Sequence, residues 1–161
     1  YNSDIVLNNK KATYDELYAY SNEIAYDVKS KLTNDDLLNL VSKLENDISS
    51  YVNIKMNGLN TKKLNDEKKL ELFKEKQEEG YFNDYQLNSY TDTELSIEIV
   101  DGKYSILFND DLTYDISIDL NLEYNYDITE NDKSYSILED HRFTYENNEI
   151  KNLKTIFYKY T

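Results

Sequence analysis

From Thr113 to Ile128 the chain reads TYDISIDLNLEYNYDI, and apolar and polar residues alternate without a break. Tyr114, Ile116, Ile118, Leu120, Leu122, Tyr124, Tyr126 and Ile128 fall on one face. Asp115, Asp119, Glu123 and Asp127, with Thr113, Ser117, Asn121 and Asn125 between them, fall on the other. A period of two over that length is a β-strand with one buried face and one wet face. Sixteen residues at about 3.3 Å each span on the order of 50 Å, far beyond the usual strand, so the sheet built on it has to bend or bulge.

What precedes this strand is helical in period. Tyr1 to Lys10 shows no periodicity and reads as a flexible lead-in, leaving one domain over residues 11–161. Thr13 with Glu16 is a capping-box pattern, and Tyr14, Leu17, Tyr18, Ile24, Ala25, Val28 and Leu32 recur at spacings of three and four. Thr33 or Asn34 caps a second helix that carries Leu37, Val41, Leu44, Ile48 and Tyr51. Val52, Ile54 and Met56 are either a short strand or the end of that helix. Asn65 caps a third helix running to Glu79, with Gly80 as its stop. Helices therefore occupy about residues 13–79 and an antiparallel sheet about residues 84–160.

Within the sheet region, Tyr81 to Tyr90 is a weak strand candidate. Leu95, Ile97 and Ile99 face Tyr104, Ile106 and Phe108 across Asp101–Gly102, a dipeptide typical of two-residue hairpin turns. Asn131–Asp132 as a two-residue loop sets Ile128 against Tyr135, Tyr126 against Ile137, Leu120 against Phe143 and Ile118 against Tyr145. Asn147–Asn148 begins the last turn, and a slip in apolar parity places a bulge between Leu153 and Ile156.

The fold class is α+β, with N-terminal helices packed on one face of a strongly bent antiparallel sheet. The order of elements, with HRFTYENNEIKNLKTIFYKY as a closing hairpin, resembles the cone-shaped fold of scytalone dehydratase, ketosteroid isomerase and the nuclear transport factor 2-like proteins. A cystatin-like helix-on-sheet domain reads much the same. The cone resemblance implies a ligand pocket on the concave side of the sheet. No site residue is carried over from it, because no motif of this sequence matches the family's catalytic residues.

Charge and residue types narrow the chemistry. A net charge of −14 argues against nucleic acid, whose phosphates require Lys and Arg, and against an anionic membrane surface. With no cysteine and one histidine, neither a disulfide framework nor a thiolate or multi-histidine metal site is available. There is no phosphate loop, no G-x-G-x-x-G and no G-x-S-x-G, so no cofactor is expected. The Asn109–Asp110–Asp111 cluster reads as a turn rather than a calcium site. No apolar run approaches a membrane span, so no direct insertion is expected. The chain opens on Tyr1 without methionine and reads as a mature or trimmed piece.

One anomaly remains. Strict alternation on the strand after the spine puts Glu139 and His141 on the apolar face, opposite Tyr124, where a carboxylate and an imidazole are costly unless paired. They are either an acid–base pair lining a ligand pocket, with Tyr124 as a donor, or residues turned to solvent by a bulge near Leu138. The bulge is the expected outcome. The outer ladder of Asp115, Asp119, Glu123 and Asp127 reads first as a solvated face that resists edge association, and alternatively as a surface for a basic partner or a cation. The sequence favours a non-enzymatic protein-interaction module, an exported, extracytoplasmic domain of a bacterial surface, secretion or conjugation-type protein. Its alternative is a small-ligand-binding or isomerase-like cone protein.

Overall fold

The structure is a computed structural model, and it describes residues 6–7, 10–11, 30–89, 91–92 and 96–160. The helix expected from Thr13 lies outside the described residues except for its end, Ser30 to Leu32, which is not helical. Near the N-terminus, β1 (Val6–Leu7) and β2 (Lys10–Lys11) pair as a two-residue antiparallel ladder. Two described helices follow, α1 (Asn34–Asn57) and α2 (Asp66–Glu78). After a 3-10 turn at Leu87–Ser89 come β3 (Thr91–Asp92), β4 (Ile97–Phe108), β5 (Tyr114–Glu130), β6 (Lys133–Glu146) and β7 (Glu149–Tyr160). These five strands form one open antiparallel sheet in sequence order, so each strand pairs with the next.

Helix α1 opens on a full capping box: the Thr33 hydroxyl accepts from the Asp36 amide and the Asp36 carboxylate accepts from the Thr33 amide. Leu37, Leu40, Val41, Leu44, Ile48 and Val52 are buried along its length. That stripe continues the helical period through Val52, so the Val52–Met56 segment is the last turns of α1 and not a strand. Asn65 caps α2 through the Lys68 amide at 2.9 Å. Gly80, at φ 81°, supplies the left-handed residue that ends this region. Helix α2 buries only Phe73, whose ring stacks on Phe108 at 5.4 Å.

The spine strand alternates as its sequence requires. Ile116, Ile118, Leu120 and Leu122 are buried against α1 in one core with Ile97, Ile99, Ile106, Phe108, Phe143 and Tyr145. The pairs Ile128–Tyr135, Tyr126–Ile137, Leu120–Phe143 and Ile118–Tyr145 all stand opposite each other. Asn131 and Asp132 both take positive φ, 50° and 63°, as a type I′ loop demands. Asn147 and Asn148 make a second such loop, at 52° and 62°.

Three expectations are corrected. Asp101–Gly102 is not a hairpin turn. β4 runs straight through it, with Ile99 opposite Leu122 and Asp101 opposite Asn121, so Val100 is the extra residue of a bulge. The inward residues are odd-numbered up to Ile99 and even-numbered from Tyr104, and a bulge absorbs that change of parity as well as a turn does. Gly102 serves close approach instead: a Cβ there would lie 2.9 Å from Leu120 Cδ2 and 3.0 Å from Leu87 Cβ. The described part of the Tyr81 to Tyr90 strand candidate, residues 81–89, forms turns and the 3-10 segment rather than a strand. The bulge of β7 falls at Asn152–Leu153, just before the predicted place, because Arg142 pairs Lys154 while Thr144 pairs Lys151. Asn152 takes φ 57° there.

Candidate functional site

Two groups of ionisable side chains lie back to back on the two faces of the same strands. The inner group is centred on β6. Its register with β5 is unbroken from Lys133 to Tyr145. The bulge expected near Leu138 is therefore absent, and Glu139 and His141 do not face solvent. Both are buried, at 0% and 1% exposure.

Inward placement is tolerable because every polar atom of the pair is satisfied. His141 Nε2 lies 2.8 Å from Glu139 Oε1. The Ser30 hydroxyl donates to Oε1 at 2.5 Å and the Lys31 amide donates to Oε2 at 2.9 Å. The nearby Tyr126 hydroxyl also favours the ionised form of the carboxylate. On the other side of the ring, His141 Nδ1 stands 3.0 Å from Thr155 Oγ1 on β7. Burial pushes the Glu139 carboxyl up, but His141, Ser30, Tyr126 and Lys31 outweigh it and hold the group below the usual glutamate value. An ionised carboxylate accepts only, so His141 donates through Nε2. A neutral ring then accepts from Thr155 through Nδ1.

Tyr124 stands opposite Glu139 across β5–β6, half-buried, with its ring 5.3 Å from that of Tyr126. The Lys31 ammonium sits 4.3 Å over the Tyr126 ring. The three inner residues singled out from the sequence therefore do come together. What they meet is the segment leading into α1.

The outer group follows the polar face of β5. Asp115 and Asp127 are exposed, while Asp119 and Glu123 are half-buried. Asp119 accepts from the Thr144 hydroxyl at 2.5 Å and faces Lys103 at 3.9 Å. Asp127 accepts from Ser136 at 2.9 Å. Glu123 is different, because carboxylates flank it on both sides: Glu98 is its partner on β4 and Asp140 its partner on β6. Burial, then Asp140, then Glu98 raise the Glu123 carboxyl above its ordinary value, and Arg142 only partly counters them.

Asp140 is buried on this outer face, and its Oδ1 accepts no hydrogen bond. Arg142 Nε lies 3.5 Å from that oxygen, an ion-pair distance without hydrogen-bond geometry. Asn121 Oδ1, in the next row, is likewise buried without a donor.

Sequence reasoning passed over Asp140, although the Asn131–Asp132 loop that sets Ile128 against Tyr135 also sets Glu123 against Asp140. It passed over Ser30 and Thr155 because nothing local in the sequence marks a contact made across such distances. Glu98 could be placed only once the Val100 bulge was known.

Two of the clefts among the described residues, both away from the inner pair, adjoin half-buried tyrosines. One of about 530 Å³ runs between α1 and the start of β5, with Glu45, Asn53, Tyr114, Asp115 and Asn148 in its lining. Burial and the nearby Asp115 raise the Glu45 carboxyl, against a bond to Tyr145 that lowers it. The Tyr114 hydroxyl is engaged within the cleft by Ser49 and Asn53. The other, about 310 Å³, lies beside Leu87, Gly102 and Tyr104. The Tyr104 hydroxyl donates to the Phe82 carbonyl, and burial pushes it up to about 12. At the Asn109–Asp111 turn, Asp111 accepts from the Thr113 amide and hydroxyl, which hold its carboxyl below the usual range. Among the described residues no group of three or more histidine or acidic side chains is arranged to hold a metal ion. No described helix is long and apolar enough to cross a membrane. In comparisons with known proteins, no family model, curated protein or solved structure matches this chain.

Proposed function

We propose that this chain is a non-enzymatic protein-interaction module, an exported domain of a bacterial surface, secretion or conjugation-type protein, whose acidic sheet face meets a basic partner. The observation that carries this reading is the state of Glu139. Both of its oxygens are taken by donors of the protein itself, Ser30, the Lys31 amide and His141. The acid–base pair in the sheet is committed to holding the chain together. On the outer face, Glu98, Asp115 and Asp127 are exposed, and they belong to a chain of net charge −14.

Complementary charge sets on-rate and partner choice more than raw affinity, so the complex is salt-sensitive. The test is binding of an extended lysine-rich peptide, measured by calorimetry at low and physiological salt. Binding that weakens with salt, and weakens again in the Glu98→Gln/Asp115→Asn/Asp127→Asn variant, supports the reading. Binding unchanged by that variant overturns it.

The shielding of His141 favours one alternative, a cone-type protein that takes a small ligand on the concave face near Tyr124. Under that reading a bound ligand competes with Ser30 for Glu139. It therefore loosens the segment before α1, which amide exchange at Lys31 and Leu32 reports.

A further inference from the structure

Like charges set directly opposite each other on neighbouring strands destabilise a sheet. This protein sets three in one row, Glu98, Glu123 and Asp140, on the outer face of β4, β5 and β6. The third is buried, with an oxygen that accepts no hydrogen bond. A buried acceptor without a donor is costly, and so is a carboxylate between two others. One added proton relieves both.

We propose that Glu123 is a proton-binding site of the outer sheet face, and that its protonated carboxyl donates a hydrogen bond to the unsatisfied Oδ1 of Asp140. The step is a simple association: one proton from solvent joins a Glu123 oxygen, and the row loses one negative charge. Among the described residues, the charged groups about Glu123 are Glu98 on β4, Asp140 and Arg142 on β6, and, one row on, Asp101 on β4 and Lys154 on β7. Arg142 is the cation at ion-pair distance from Asp140, and its side chain is more than half exposed. It offsets the row without supplying the missing bond. The raised carboxyl of Glu123 agrees with this geometry.

The folded chain then holds this proton more tightly than the unfolded chain does. This contribution to stability is fully present below the unfolded value near 4.5 and is lost as pH rises through the raised folded-state value. The site stands whether or not the face binds a partner.

The experiment is an NMR titration of the Glu123 side-chain carboxyl carbon in the wild type, in Asp140→Asn and in Glu98→Gln. Asp140→Asn is nearly isosteric and keeps an amide oxygen, so the fold is retained. The expected result is a Glu123 midpoint above that of an exposed glutamate, displaced downward in both variants and further in Asp140→Asn. A wild-type midpoint at the ordinary glutamate value overturns the proposal, and so does a midpoint that Asp140→Asn leaves in place. Denaturation of wild type and Glu123→Gln across the same pH range gives a second reading. The wild type should gain stability relative to the variant on mild acidification, and parallel profiles count against the proposal.

Discussion

Glu139 and Asp140 are consecutive residues of one strand, both buried, pointing to opposite faces of the same sheet. Glu139 meets three donors, Ser30, the Lys31 amide and His141, and stays ionised more readily than a free glutamate. Asp140 meets Glu123 and an arginine at the edge of reach, and its Oδ1 accepts no hydrogen bond. Equal burial is met by different neighbours on the two faces. On the inner face the segment before α1 brings amide and hydroxyl hydrogens to the carboxylate. On the outer face the adjoining strand brings a second carboxylate. Burial alone says little about a carboxylate in a sheet; the donors that reach it decide its charge.

The sharpest way to break the contrast is to delete each acid. Glu139→Ala leaves the donors of Ser30, Lys31 and His141 without their acceptor, and should cost about 3–5 kcal/mol in chemical denaturation at neutral pH. A loss below about 1 kcal/mol would mean that water replaces the carboxylate and that the inner pair is no anchor.

The two faces of the spine strand give the next comparison. Leu120→Ala removes a core side chain packed against α1 and Phe143, for a cost of about 2–5 kcal/mol. Asp119→Ala removes one hydrogen bond from Thr144 and a distant Lys103, for about 1 kcal/mol. Equal losses would contradict the assignment of the faces.

Asp140→Asn should go the other way, leaving stability at pH 7 unchanged or raised by up to about 1 kcal/mol, since it removes a like-charge pair. A clear loss would show that the pairing with Arg142 dominates.

The pH profiles sharpen the contrast with smaller signals of opposite sign. The folded-state value of Glu139 is lowered, so its contribution is present above the unfolded value near 4.5 and is lost as pH falls through the folded value. The folded-state value of Glu123 is raised, so its contribution appears on acidification from neutral pH. Glu139→Gln should flatten the first slope and Glu123→Gln the second, in denaturation series run every half unit.

Much of this geometry is legible in the sequence, and the reasons are local. Alternation fixes which face each residue of β5 takes. A two-residue loop with asparagine and aspartate in the left-handed region fixes the β5–β6 register to the residue. The inward position of Glu139 and His141 followed from the same parity. The expectation of a bulge there failed because it weighed the cost of burial without the donors, and those donors come from Ser30 and Lys31, far away in the chain. The Asp101–Gly102 turn failed for the converse reason. A dipeptide compatible with a turn stands where close approach to Leu87 and Leu120 is what requires a glycine.

The tie between Ser30 and Glu139 also bears on the order in which the molecule assembles. Every sheet pairing from β3 to β7 joins neighbours in the chain across short connections, so the ladder can zip hairpin by hairpin with little closure entropy at each step. Ser30 and Glu139 are 109 residues apart, and their bond needs β6 already in place to present the carboxylate. A contact of that separation is expected to form after the rate-limiting step of folding, which folding and unfolding rates of Ser30→Ala would check. Weakening it should quicken unfolding and leave the folding rate nearly untouched, which makes a single buried glutamate the brake on how long the native state survives.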